Sequence, residues 1–73
     1  MPKLPRVSGR KVVRALERAG WEVTRWRGSH IIMTKPGSIY TLSIPDHREI
    51  GPGLLRAILR KAGLSVEEFK ELL

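Results

Sequence analysis

The chain has 73 residues, 14 basic against 7 acidic, a net charge of +7 and no cysteine. So short a chain buries only about 60% of the surface its unfolded form exposes, which excludes a two-domain enzyme and a deep enclosed site. The missing cysteine excludes a disulfide framework and cysteine-based zinc or redox chemistry. One domain over residues 1–73 is expected, with 1–6 as a flexible N-terminal segment. No apolar run approaches the roughly 18 residues of a membrane span, and Met1-Pro2-Lys3-Leu4-Pro5-Arg6 lacks the apolar stretch of a secretory signal, so a cytoplasmic location is expected.

In chain order the pattern reads helix, three strands, helix, short helix. Ser8 can cap the first helix, with Val7 and Val12 as a hydrophobic staple, Val12, Ala15, Leu16 and Ala19 as its buried stripe, and Gly20 as its stop. Strands are expected over Trp21–Trp26, His30–Thr34 and Ile39–Ile44, joined by a three-residue loop Arg27-Gly28-Ser29 and by a turn at Pro36-Gly37. That register sets Met33 opposite Tyr40, Ile31 opposite Leu42, His30 opposite Ser43, Val23 opposite Met33 and Trp26 opposite His30. Ile31, Met33, Tyr40, Leu42 and Ile44 then share the core face, and Trp26, His30, Ile32, Thr41 and Ser43 the open one. Pro52 suits the first position of the next helix, whose stripe is Leu55, Ile58, Leu59 and Ala62 and whose stop is Gly63. Ser65-Val66-Glu67-Glu68 is a capping box opening the last helix. The fold class is α+β, order α-β-β-β-α(-α), with helices on one face of a three-stranded antiparallel sheet.

Nine of the basic residues fall between Lys3 and Lys35, against only Glu17 and Glu22. Such a basic half suits a polyanion: nucleic acid first, an acidic protein or an anionic membrane second. A plain solubilising surface explains it as well. Two histidines and one aspartate fall short of a four-ligand zinc site, and no carboxylate cluster or glycine-rich phosphate loop is present, so no metal or other cofactor is expected.

Histidine remains as the chemical group, because His30 and His47 can exchange protons near neutral pH. RNA supplies its own nucleophile, so a base on the 2′-OH and a cation on the phosphorane are enough to cleave it without a metal. Ser43, beside His30 in the expected register, can orient its ring. A lone strand histidine is more often an ordinary surface residue. Trp26 on the open face can stack on a base, or be covered by a neighbour or partner protein.

Several short segments stand in a telling order: Ser8-Gly9, Ala19-Gly20-Trp21, Arg27-Gly28-Ser29-His30, Ile44-Pro45-Asp46-His47, Gly53-Leu54-Leu55-Arg56-Ala57-Ile58-Leu59, Ala62-Gly63-Leu64-Ser65 and Glu68-Phe69. Together they resemble the HicA family of toxin mRNA interferases over about Pro5 to Phe69, with Trp21 where the family usually has Phe and Leu54 where Thr is common. The resemblance implies a fold like the double-stranded RNA-binding domain. It also implies a ribosome-independent endoribonuclease that cuts messenger RNA and is neutralised by a HicB-like antitoxin. The family's catalytic histidine maps onto His30.

On that reading His30 is the general base or acid, and His47 is a second proton carrier or a loop-bonding residue. Arg25, Arg27 and Lys35 flank the site, and Arg10, Lys11, Arg14 and Arg18 meet RNA backbone or antitoxin further out. Assembly as a homodimer or as a hetero-oligomer with the antitoxin stays open, and no membrane partner is expected. Two rivals stand beside this reading: a non-catalytic RNA-binding module of the same fold, and a DNA-binding element built on the Gly63 turn, which the acidic last helix disfavours.

Overall fold

The computed structural model describes residues 3–73. Six elements follow one another: α1 (Gly9–Arg18), β1 (Glu22–Arg27), β2 (His30–Thr34), β3 (Leu42–Pro45), α2 (Pro52–Ala62) and α3 (Val66–Leu72). The strands form one antiparallel sheet in the order β1-β2-β3. This is the expected α+β order. Of the N-terminal segment, Leu4 packs against the core, while Met1 and Pro2 lie outside the described residues.

The helix ends form as the sequence dictates. The Lys11 N–H donates to Ser8 Oγ at 3.2 Å, and Val7 and Val12 are both buried as the staple requires. Gly63 ends α2 in the left-handed region (φ 75°), and Leu64 N–H closes back on the Leu59 carbonyl at 3.0 Å. Ser65 and Glu68 form the reciprocal capping box of α3. The helices cover one face of the sheet. Val12, Ala15 and Leu16 of α1, Leu55, Ile58 and Leu59 of α2 and Phe69 of α3 meet Ile31, Met33, Leu42 and Ile44 in a single core that also holds Trp21.

Two parts of the expected register change. β3 runs over Leu42–Pro45 rather than Ile39–Ile44, so His30 faces Pro45, Ile31 faces Ile44, Ile32 faces Ser43 and Met33 faces Leu42. The Pro36-Gly37 turn forms, with Gly37 at φ 84° and Ser38 N–H bonded to the Lys35 carbonyl. A turn of this kind splays its strands, and the chain needs several more residues before it pairs again. The resulting offset is two residues, which preserves the faces. Ile31, Met33, Leu42 and Ile44 therefore stay in the core, whereas Tyr40 leaves it and is half-exposed.

The β1–β2 loop is the two-residue turn Gly28-Ser29, with Gly28 at φ 59° and Arg27 opposite His30. The extra residue lies further along, in a bulge at Thr24, where the pairing steps from Val23–Met33 to Arg25–Ile32. Thr24 Oγ1 donates to the Ile32 carbonyl at 3.2 Å and anchors the bulge. Val23 faces Met33 as expected. Trp26 does not face His30: it pairs with Ile31 and lies on the helix side of the sheet.

Candidate functional site

His30 begins β2 directly after the Gly28-Ser29 turn, exposed on the side of the sheet that no helix covers. It lines an open groove of about 570 Å³ together with Arg25, Arg27, Ile32, Thr41 and Ser43. The alternation of β1 beyond its bulge sends Arg25 and Arg27 to this face. Among the described residues that line it there is no carboxylate. The groove is thus cationic, with a titratable imidazole at one end and hydroxyls at the other.

Ser43 shares the groove but stands diagonally from His30, because Pro45 occupies the opposite position. Such diagonal residues are about 7–8 Å apart, so the expected side-by-side placement is not formed. His47 lies at the same end of the sheet, since Asp46 N–H donates to the Ser29 carbonyl at 2.8 Å. It is not among the groove-lining residues, and its carbonyl receives Gly9 N–H at 2.9 Å. Lys35 does not flank His30. It follows the far end of β2, some five residues or about 16 Å away, with its side chain over Gly20.

The Ser8-Gly9 segment is structural. A Cβ on Gly9 would lie 2.0 Å from the Pro45 carbonyl oxygen, so only glycine lets α1 seat on the end of β3. Next to it Arg10 clasps Asp46, Nε to Oδ1 at 3.1 Å and Nη2 to Oδ2 at 3.3 Å. The Arg10 hydrogen bonds hold the Asp46 carboxyl below its ordinary range. Arg18 donates to the Leu72 carbonyl and ties α1 to α3. Lys11 and Arg14 are exposed on α1. Of the four helical cations, two therefore have protein partners, and all four lie away from the groove.

Ile32 and Thr41 are groove residues that the chemistry of the sequence does not single out, although alternation places both beside Ser43. The bulge also had a trace in the sequence. Val23 and Trp26 are apolar residues three apart, a spacing that puts them on opposite faces of a regular strand and on one face only if a residue is inserted between them.

A family model described as the HicA toxin of bacterial toxin-antitoxin matches residues 9–64. The chain belongs to the HicA toxin family. The match runs from the glycine that seats α1, through the whole His30 groove, to the residue after the Gly63 stop. A solved chain described as a toxin-antitoxin complex from Streptococcus pneumoniae is 36% identical, with a TM-score of 0.71 over 80% of this chain and 98% of that one. A comparison with curated proteins gives no match. Among the described residues of this HicA-family toxin, no group of three or more His, Cys, Asp or Glu side chains gathers to hold a metal ion, and no helix is long and apolar enough to cross a membrane.

Proposed function

We propose that this HicA-family toxin is a metal-independent endoribonuclease that cuts messenger RNA with His30 and is restrained by a HicB-like antitoxin. The observation that carries the reading is His30 in an open groove beside Arg25 and Arg27 with no carboxylate in the lining. Such a groove accepts an extended polyanion rather than a small enclosed substrate.

The chemistry follows from the RNA. His30 takes the proton of a ribose 2′-OH, and the oxygen attacks the adjacent phosphorus in line. The P–O5′ bond then breaks, leaving a 2′,3′-cyclic phosphate and a 5′-hydroxyl. Arg25 and Arg27 stabilise the charge on the phosphorane between these events. The 5′-oxygen takes its proton from His30 in its acid form or from a second carrier. Ser43 can receive a phosphate or ribose contact from across the groove, and His47 serves only if substrate binding draws its side chain into the groove. Among the described residues of the outer patch, Lys11 and Arg14 are the cations whose side chains bond no other residue. The antitoxin partner is supported by the family and by the toxin-antitoxin complex in which the similar solved chain was found.

The test uses single-stranded RNA of mixed sequence with EDTA, beside the His30→Ala variant. Cleavage that persists in EDTA and falls about 100- to 10,000-fold in the variant supports the reading. Cyclic phosphate ends add that the 2′-OH is the nucleophile. Equal tight binding by both proteins without cleavage favours a non-catalytic RNA-binding module instead.

A further inference from the structure

β1 presents different chemistry on its two sides. Arg25 and Arg27 line the His30 groove, while Trp26, between them in sequence, lies opposite Ile31 on the helix side. The bulge brings Val23 to that same side. Among the described residues no strand neighbours the outer edge of β1, and every residue of the strand is exposed. α1 does not cover this corner: Trp26 is 51% exposed, whereas Trp21 is 2% exposed. Between Trp26 and α1 lies a recess of about 190 Å³, walled by Arg10, Arg14 and Glu17. The Arg10 guanidinium stands 6.0 Å from the Trp26 ring centroid, held there by its clasp on Asp46.

We infer that this recess is a base-stacking subsite for the RNA strand, which crosses the free edge of β1 on its way out of the groove. One phosphate rests on Arg25 and Arg27, and a neighbouring base lies on Trp26 on the other side of the sheet. An indole suits any base, because every base has a π face. Arg10 at the ring and Arg14 at the rim favour the adjoining phosphates, with Glu17 the one opposing charge. The rival occupant is a protein segment pairing with the β1 edge. A recess of single-ring size with arginines on its wall, continuous around the edge with two further arginines, fits a nucleotide strand better. The inference rests on the chain being RNA-binding.

The test uses the full chain and a short single-stranded RNA with 2′-O-methyl riboses, which binds without offering a free 2′-OH. Trp21 is buried and emits in every variant, so the part of an RNA-induced emission change that Trp26→Phe removes reports Trp26. RNA should quench that emission and shield it from acrylamide. Trp26→Phe should remove most of the spectral change while keeping affinity within about threefold, and Trp26→Ala should weaken binding about 5- to 150-fold. Arg14→Gln should lower the log–log salt slope of binding by about 0.7. On cleavable RNA, Trp26→Ala should raise KM and leave kcat in place.

RNA that is bound and cut with unaltered Trp26 emission, or equally well by Trp26→Ala, overturns the subsite and leaves the nuclease reading intact. Emission that responds to a co-purified antitoxin but not to RNA makes the recess a protein site and also overturns it. A wild-type chain that binds no RNA removes both readings.

Discussion

At the His30 end of the β2–β3 ribbon, connections converge from three parts of the chain. Asp46 N–H bonds Ser29, Gly9 N–H bonds His47, Ile50 N–H bonds Val7, and Arg10 clasps Asp46. At the other end, the N–H groups of Ser38 and Tyr40 bond only within their own loop, and Ile39 is 91% exposed. The two ends share the same strands and differ in what docks on them. The histidine is at the end whose backbone is fixed from several sides, which is what the proton transfer proposed for it would require. The far end carries no such docking, so a change there should disturb the His30 end little.

Substitutions at the two ends should separate sharply. The largest effect is expected from Gly9→Ala, whose Cβ collides with backbone and not with a yielding side chain. A loss of about 1–3 kcal/mol follows, read as a Tm drop of at least about 4 °C; a Tm unchanged within error would mean that α1 does not need this close seat. Next comes the pair Arg27→Gln and Lys35→Gln. The first should slow RNA cleavage about tenfold by removing a charged donor from the groove, and the second should leave it nearly unchanged. Equal losses would erase the distinction between the ends.

Asp46→Asn should have a smaller effect with a signature in pH. Its carboxyl is held below the ordinary value of 3.8 by Arg10, so around that value the folded chain binds fewer protons than the unfolded one. The stabilisation is full above the unfolded pKa and is lost as pH falls through the lower folded one. The Tm gap between wild type and Asp46→Asn should therefore be present at neutral pH and close in acid. A gap that widens in acid would contradict the clasp. Glu68, held low by its bonds with Ser65, adds a similar acid sensitivity that both proteins keep. The smallest effect is Ile39→Ser, within about 0.5 kcal/mol of wild type by chemical denaturation.

Most of the fold could be read from the residues because helix stops and caps are local. Ser8, Gly20, Gly63 and the Ser65–Glu68 box act within a few residues of themselves. The core face of the sheet was also legible despite the wrong β2–β3 register, since an offset of two residues keeps every side chain on its side. Trp26 was misplaced because one inserted residue reverses a strand's faces. Alternation within Glu22–Arg27 is dominated by charged and polar residues, which give a weak phase. The histidine was legible as a chemical group, and alternation put Ile32, Thr41 and Ser43 on its face; Arg25 joins that face only through the bulge at Thr24. Lys35 shows the opposite failure: five residues in sequence looked close, and a fully extended strand made them far.

The clasp between Arg10 and Asp46 spans 36 residues, and this separation has a consequence for the order of events in time. During synthesis α1 emerges early, with nothing for its apolar stripe to lie on. Its seat at Pro45 and Asp46 comes only after all three strands, and the Ile50 bond to Val7 comes later still. The end of the sheet that carries His30 is thus completed by the segment after β3. A nascent chain stopped before that segment would hold the histidine but not the corner that positions it, so the toxin should acquire its working geometry late.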